Sequence, residues 1–100
     1  MVPRGTTPTI RYTFSIVEVE NIASAYLTIQ QGSLVIEKSL ADADVGDGYL
    51  EWNLSQSETL SLDEKENIEI QCKYKMTDGK VYTSKIYTTD VYKILKEDII

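Results

Sequence analysis

Apolar and polar residues alternate strictly along much of this chain, and that pattern constrains the fold more than any other feature. In Ile68–Met76 every odd position is polar, and every even position is apolar, aromatic or cysteine. A period of two places successive side chains on opposite faces of an extended strand. The segment Thr77–Lys80 contains an Asp-Gly pair, and alternation resumes in Val81–Thr89. This pattern predicts a β-hairpin whose two central turn residues have positive φ, with Ile86 as the core residue of the return strand.

The same alternation predicts four further strands and the faces that they bury. The strands are Ile10–Glu18, Ser24–Gln30, Leu34–Ser39 and Tyr49–Leu54. The inward positions are Ile10, Tyr12, Phe14 and Ile16 in the first strand, Ala25, Leu27 and Ile29 in the second, and Leu50, Trp52 and Leu54 in the last. A Gln-Gly-Ser turn between the second and third strands predicts that they form a hairpin.

Three intervening segments lack a sustained period of two. Ala41–Gly48 is rich in aspartate and glycine and is predicted to be a loop. Ser55–Asp63 is predicted to contain one helical turn with a serine cap, from which Leu60 and Leu62 close the bottom of the core. Asp90–Ile100 is predicted to be a final strand, or a short turn, followed by a tail.

Six or seven short strands in 100 residues predict a single all-β domain. The size favours an immunoglobulin-like antiparallel β-sandwich of about seven strands. Cys72 is the one cysteine in the sequence, so an internal disulfide is excluded. Its place in an alternating run predicts a buried core residue rather than a nucleophile. We divide the chain into an extended N-terminal arm, residues 1–9, and one sandwich domain, residues 10–100.

Charge and composition disfavour several functional classes. The net charge of −6 repels phosphate backbones and anionic lipid head groups, so we expect neither a nucleic-acid nor a membrane partner. The chain has no histidine, which is the commonest general base and metal ligand. No apolar run approaches the roughly 18 residues of a membrane span, and no secretory leader pattern is found, so we expect a protein made in a cytoplasm. We predict no enzyme activity, no catalytic residue and no cofactor.

The acidic segment Asp42–Gly48 is the candidate metal site. Its spacing fails the EF-hand pattern, because the twelfth position, which requires a bidentate glutamate, is Asn53. We therefore predict no metal site and interpret these aspartates as turn caps. An irregular calcium loop is the alternative that the sequence leaves open.

Tyrosine is unusually frequent, with seven tyrosines against one phenylalanine. Tyr26, Tyr82 and Tyr87 cannot all face one core if the alternation holds, so we expect at least one or two of them on an outer sheet face. Exposed tyrosines bind sugars or protein neighbours, but they also stabilise a sheet face through cross-strand pairs. The sequence leaves both interpretations open.

The N-terminal arm is the other predicted interaction element. It is punctuated by proline and glycine, and after Pro8 no lysine or proline protects the edge of the strand that follows. We predict that the arm adds itself to the sheet of a neighbouring molecule. The predicted partner-binding residues are therefore Pro3, Arg4, Thr6, Thr7, Pro8, Tyr26, Tyr82 and Tyr87.

The segment Arg4–Thr9, Arg-Gly-Thr-Thr-Pro-Thr, followed by an alternating strand, resembles a group of small proteins from the tail regions of phages and prophages of Gram-positive bacteria. Further matching stretches are Ala25–Gly32, Leu34–Lys38, Glu58–Asp63, Ile68–Gln71, Thr77–Gly79 and Ile94–Ile100. The resemblance therefore covers essentially the whole chain. More distantly, the chain is similar to the N-terminal immunoglobulin-like domain of phage baseplate upper proteins.

The resemblance implies a virion structural or assembly protein of the tail or baseplate. Such a protein is assembled in the cytoplasm of the bacterial host and acts in several symmetric copies, through contacts with other virion proteins or with itself. The resemblance supplies no catalytic residues. The alternative function is a carbohydrate- or host-surface-binding module that uses exposed tyrosines, with a glycan as its partner.

Overall fold

The structure is a computed structural model that describes residues 2–14, 18–96 and 99–100. In this part of the chain the strands are β1 (Val2–Pro3), β2 (Thr9–Thr13), β3 (Ile22–Gln31), β4 (Leu34–Ser39), β5 (Asp44–Gly46), β6 (Tyr49–Asn53), β7 (Ile68–Met76), β8 (Val81–Thr83), β9 (Tyr87–Thr89) and β10 (Val91–Tyr92). One α-helix, α1, spans Gln56–Leu60, and 3-10 turns span Val19–Asn21 and Leu40–Asp42.

Eight of the strands form two antiparallel sheets that enclose one core, and β1 and β10 form a separate two-stranded parallel sheet. The smaller sheet has the order β2-β6-β5. The larger sheet has the order β4-β3-β7-β8, and β9 also pairs with β7. In immunoglobulin lettering, the smaller sheet corresponds to strands B, E and D, and the larger sheet to C′, C, F and G. The predicted immunoglobulin-like all-β sandwich without a disulfide is confirmed, and its seven principal strands are β2 to β7 and the broken strand β8–β9.

The core is filled by the alternating side chains of the central strands. Leu27 of β3, Trp52 of β6 and Cys72 of β7 are all fully buried. The indole N–H of Trp52 donates a hydrogen bond of 2.9 Å to the Ser39 carbonyl, which satisfies its buried polar atom. The inward positions predicted for Ser24–Gln30 and Tyr49–Leu54 are therefore confirmed.

Helix α1 closes one end of the core, as the sequence predicted. Ser55 is its N-cap: the Ser55 hydroxyl accepts from the Glu58 N–H at 3.1 Å, and the Glu58 carboxylate accepts from the Ser55 N–H at 2.8 Å. These two bonds form a capping box. Leu62 is fully buried below the sheets, while Leu60 is only partly buried.

Several details of the strand prediction are wrong. The first strand was expected over Ile10–Glu18, but β2 ends at Thr13, and Ile16 lies outside the described residues. The loop predicted at Ala41–Gly48 contains β5, which pairs with β6. In the turn between β7 and β8, Gly79 alone has positive φ, at 92°. That geometry is typical of a three-residue hairpin loop with glycine in the left-handed position, rather than a two-residue turn.

A β-bulge separates β8 from β9 and explains why Ile86 is not a core residue. Tyr82 lies opposite Tyr74, and this register, if continued, would place Ile86 opposite Ile70. Tyr87 occupies that place instead, so one extra residue lies between the two strands. The insertion turns Ile86 to the outer face of the larger sheet, where it is 56% exposed beside the outward side chains of β3 and β7.

Ser84 holds the bulge in place. Its N–H donates to the Cys72 carbonyl at 2.8 Å, and its hydroxyl accepts from the Cys72 N–H at 2.9 Å. The same hydroxyl donates to the Lys85 carbonyl at 3.0 Å. A side-chain oxygen thus replaces a backbone acceptor at the point where the regular ladder ends.

Candidate binding groove

The N-terminal segment is part of the domain. Val2 is 6% exposed, and β1 pairs in parallel with β10. The Val2 N–H donates to the Asp90 carbonyl at 2.8 Å, and the Arg4 N–H donates to the Tyr92 carbonyl at 3.2 Å. The first residues of the predicted arm are therefore bound to the chain's own C-terminal strand and do not form a free extension.

The residues that follow are held by α1 and by Glu64, which lies just after it. The Arg4 guanidinium donates to the Leu60 carbonyl at 2.8 Å and lies 3.5 Å from the Glu64 carboxylate. The Thr6 carbonyl accepts from the buried Thr59 hydroxyl at 2.8 Å. Of the predicted contact residues in the arm, Pro3, Arg4, Thr6 and Pro8 are partly buried, and Thr7 is exposed. A role of these residues in partner binding stays a prediction.

An apolar groove of about 430 Å³ lies beside this segment, between β2 and β9. Its lining includes Val2, Ile10, Tyr12, Ile70, Tyr87 and Thr89. It exists because the smaller sheet has three strands where the larger sheet is four strands wide. The end of β2 lies over β7, since the ring centres of Tyr74 and of Phe14, the residue that follows β2, are 5.0 Å apart. The inward face of the broken strand β8–β9 is left uncovered beyond β2.

The three tyrosines predicted to bind a partner lie on two different faces of the larger sheet. Tyr87 lies opposite Ile70 and Tyr82 opposite Tyr74, so both face the inner side of the larger sheet. They are nevertheless 57% and 41% exposed, because the smaller sheet does not reach them. Tyr26 is exposed on the other face of the larger sheet. The prediction that at least one or two of these tyrosines lie on an outer sheet face is confirmed by Tyr26 alone, whereas Tyr82 and Tyr87 share the inner side of the larger sheet.

The Tyr82 ring is held by its neighbour. It stacks on Tyr74 with ring centres 5.6 Å apart and an interplanar angle of 25°. Burial raises the pKa of the Tyr74 hydroxyl, with the nearby Cys72 and Tyr82 adding to the effect. A stacked pair at a sheet edge presents a flat aromatic surface that suits either a protein side chain or a sugar ring.

One wall of the groove has a charged residue that the sequence analysis did not single out. Arg11 of β2 donates to the Glu51 carboxylate at 2.6 and 2.9 Å and lies 4.0 Å over the Tyr49 ring centre. The hydrogen bond to Glu51 raises the pKa of Arg11 above its ordinary value. The sequence did place Arg11 among the outward residues of the first strand, and that was the one signal that could have identified it.

The free edge of β2 also presents backbone hydrogen-bonding groups. The pairing of β2 with β6 is flanked by the bonds from Leu54 N–H to the Pro8 carbonyl and from Phe14 N–H to the Gly48 carbonyl. Since bonded and non-bonded pairs alternate in antiparallel sheets, the even-numbered residues of β2 bond β6. The N–H and carbonyl groups of Thr9, Arg11 and Thr13 therefore point away from β6, towards the groove edge.

Neither Cys72, which is buried, nor Tyr12, which is partly buried in the lining of the groove, ionises at neutral pH. Burial raises the pKa of the Cys72 thiol to about 11, so it remains protonated at neutral pH, and the predicted core role is confirmed. Burial also raises the pKa of the Tyr12 hydroxyl, although its hydrogen bond with Ser84 acts in the opposite direction. Tyr12 thereby links β2 to the bulge.

The acidic segment is used for local capping. The Asp42 carboxylate accepts from the Ser39 N–H at 2.9 Å, and the hydrogen bonds from the N–H and hydroxyl of Ser39 lower the pKa of Asp42. Asp44 accepts from the Asn53 amide at 3.4 Å. In the described part of the chain, no three histidine, cysteine, aspartate or glutamate side chains come together as a metal-binding group. Across residues 2–14, 18–96 and 99–100, no helix has the length and apolar character needed to cross a bilayer.

Comparison with known proteins identifies no relative of this chain. A search of protein-family profiles, curated proteins and solved structures finds no match to this chain.

Proposed function

We propose that this protein is a non-enzymatic structural or assembly component of a phage virion, in the tail or baseplate, that acts through protein–protein contacts. The resemblance of Arg4–Thr9 and of the later matching stretches to phage tail-region proteins supports the place of action. The groove between β2 and β9 supports the mode of action, and it is the observation that carries the proposal.

The groove favours a protein partner for two physical reasons. Its lining is mostly apolar, with Ile10, Ile70 and Tyr87 contributing, and burial of such surface drives association. Beside it lies a strand edge whose outward backbone groups match those of another extended chain. Its charged residue, Arg11, is already paired with Glu51, so an apolar partner leaves no charge unpaired there.

Fractionation of phage particles tests this function. The full chain, produced during phage growth in its host, is expected to sediment with intact virions and with separated tails and to be found at the tail in immunogold images. A control protein of similar size that is not part of the virion shows the background. A chain that stays in the soluble fraction, away from particles, would refute the virion role.

Carbohydrate binding is the second candidate function, and the stacked Tyr74–Tyr82 pair favours it, because sugar rings bind to flat aromatic surfaces. A glycan array distinguishes the two functions. Binding that is lost in Tyr82→Ala or Tyr87→Ala, but kept in Tyr26→Ala on the other face, supports the carbohydrate function. Absence of binding in the unmodified chain supports the protein-contact function.

A further inference from the structure

We propose that the outer face of the β7–β8 hairpin binds an acidic segment of a partner protein. Four lysines define this surface, here called the lysine face: Lys73, Lys75, Lys80 and Lys85. The proposal deepens the proposed function and rests on it in one respect, that the protein acts through protein contacts. It adds a second contact surface, on the opposite side of the larger sheet from the groove, and states the chemistry of the partner.

Positive charge is concentrated at this hairpin. The stretch from residue 70 to residue 89 has four lysines and one aspartate, a net charge of +3, whereas the whole chain has a net charge of −6. All four lysines are exposed. Arg4, Arg11 and Lys38 form ion pairs, whereas among the described residues none of the four lysines does. The hairpin is therefore a positive region on an otherwise acidic molecule, and it attracts negative charge.

Two of these lysines lie on a central strand of the larger sheet. Lys73 and Lys75 of β7 are exposed on the outer face, because the core side of the strand carries Cys72. Strand β7 is paired on both edges, with β3 on one and with β8 and β9 on the other. Lysines protect sheet edges in many proteins, but the edge here is β8, Val81–Thr83, which has no charged residue. Lysine is also disfavoured inside strands, so neither edge protection nor strand propensity accounts for this pair.

The turn and the bulge place the other two lysines beside this pair. Lys80 is in the turn, where its backbone N–H donates to the Asp78 carboxylate at 2.9 Å. That carboxylate, the one acidic group of the hairpin sequence, thus shapes the turn. Lys85 lies in the bulge opposite Gln71, the next outward residue of β7 after Lys73. The lysine face therefore extends across two neighbouring strands, which lie about 4.8 Å apart.

Apolar side chains between the lysines favour a protein as the partner. Val81, opposite Lys75, is 53% exposed, and Ile86 in the bulge is 56% exposed. Ile86 and Lys73 line one shallow pocket of about 180 Å³. A segment that combines carboxylates with an apolar side chain matches both features, because the charges set its position while buried apolar surface drives association.

Nucleic acid and anionic lipid fit this surface less well. The lysine face contains no arginine, whose planar guanidinium makes the bidentate contacts typical of phosphate recognition. A long polyanion or a membrane surface also meets the negative charge of the rest of the chain, whereas a short acidic segment meets the hairpin alone. We therefore assign the lysine face to a carboxylate-rich protein segment.

Peptide titration of the full chain, followed by heteronuclear NMR, tests this assignment. The probe is a synthetic peptide of alternating glutamate and serine, and its neutral control has glutamine in place of each glutamate. At low ionic strength the acidic peptide should shift the amide resonances of residues 73–85, and salt should weaken the binding because exposed charges are screened. The neutral peptide should shift none of them. Equal shifts with both peptides, no shift at all, or shifts spread over the whole chain overturn the proposal.

A charge-matched pair of variants shows whether the position of the lysines matters. Lys73→Gln with Lys75→Gln should weaken binding of the acidic peptide about threefold to tenfold, because two exposed ion pairs are lost. Lys65→Gln with Lys93→Gln is the control, which removes the same charge at exposed positions outside the hairpin and should leave the affinity nearly unchanged. All four side chains are exposed, so both variants should fold, and near-ultraviolet circular dichroism checks this. Equal weakening would mean that net charge alone governs binding, which overturns the proposal.

Competing occupants are tested on the same chain. Tighter binding of a single-stranded oligonucleotide of equal charge, or of phosphatidylserine vesicles, at residues 73–85 overturns the assignment to protein. Self-association that Lys73→Gln with Lys75→Gln abolishes also overturns it, because the partner is then a second copy. Virion fractionation remains a separate test. A chain that sediments with virions but does not bind the acidic peptide refutes the lysine face alone, and a chain that binds the peptide but stays away from particles refutes the virion role alone.

Discussion

The two sides of this sandwich are built differently. On the side of β4 and α1, here called the closed side, the Trp52 indole N–H bonds the Ser39 carbonyl at the end of β4. The Lys38 ammonium there lies 3.0 Å from the Glu58 carboxylate of α1. On the side of β2 and β8–β9, here called the open side, the smaller sheet ends one strand before the larger sheet. Tyr87 is more than half exposed there. Stability is therefore concentrated on one side, and surface available for binding on the other.

The difference follows from strand number rather than from residue type. Both sides contain aromatic residues, but Trp52 lies where two sheets overlap, whereas Tyr87 lies where the smaller sheet has already ended. Apolar surface thus contributes to folding in one place and remains for association in the other.

The largest expected effect compares these two aromatic residues directly. Trp52→Ala should lower the free energy of unfolding by about 3–5 kcal/mol, because it empties a fully buried site. Tyr87→Ala should lower it by less than about 1 kcal/mol, since the ring is mostly exposed. Urea unfolding at high dilution measures both. Similar losses in the two variants would mean that the open side is as well packed as the closed side.

The N-terminal segment, which borders the groove, provides the second test. Thr59→Val should lower the free energy of unfolding by about 1–3 kcal/mol, because the buried hydroxyl that bonds the Thr6 carbonyl at 2.8 Å is lost. Thr83→Val on the exposed face of β8 is the matched control and should change it by no more than about 0.5 kcal/mol. Equal effects would indicate that the segment is held by β10 alone.

The sequence predicted the closed side well, because alternation there is continuous. Strands β4 and β7 have the predicted bounds, and the inward residues of β3 and β6 are buried as expected. Local patterning decides burial wherever a strand is paired on both edges and its register has no interruption. The serine cap of α1 was also predicted, because a cap needs only residues close in sequence.

The open side was not predictable, because it depends on contacts distant in sequence. No local signal states that Val2 pairs with Val91 or that Thr59 bonds Thr6, so the sequence predicted instead that the arm adds itself to the sheet of a neighbouring molecule. The extra residue between β8 and β9 reverses every later side chain, and alternation alone cannot reveal a one-residue shift. Both features place residues in the lining of the groove, Val2 from β1 and Tyr87 from β9, so the sequence analysis missed the groove for the same reason.

The bulge provides the third test, which is confined to the open side. Ser84→Ala should lower the free energy of unfolding by about 1–2 kcal/mol, because the Cys72 N–H loses the acceptor that lies at 2.9 Å. Ser33→Ala, in the exposed turn between β3 and β4, is the control and should have little effect. Hydrogen exchange should show faster exchange in β8 and β9 with β3 and β4 unchanged. Faster exchange throughout both sheets would mean that the two sides do not behave independently.

The smallest expected effect is a dependence on pH that belongs to the closed side. Burial acts to raise the pKa of Glu58, but hydrogen bonds from Ser55 and Lys38 outweigh it, and the net shift is downward from 4.5. The folded state therefore binds this proton less readily than the unfolded state. The stabilisation is complete above about pH 4.5 and is lost as the pH falls through the lower, folded-state pKa.

A double-mutant cycle of Lys38→Met and Glu58→Gln isolates this contribution from other carboxylates. At neutral pH the coupling energy between the two side chains should be about 0.5–1 kcal/mol, because the pair is partly exposed and screened. It should disappear on acidification, since the protonated Glu58 no longer attracts the ammonium. A coupling that persists in acid would show that α1 and β4 are held together by packing alone. Loss of the coupling in acid, with the protection of the outward amides of β2 relative to the unfolded chain unchanged, would show that the closed side depends on charge and the open edge on backbone geometry.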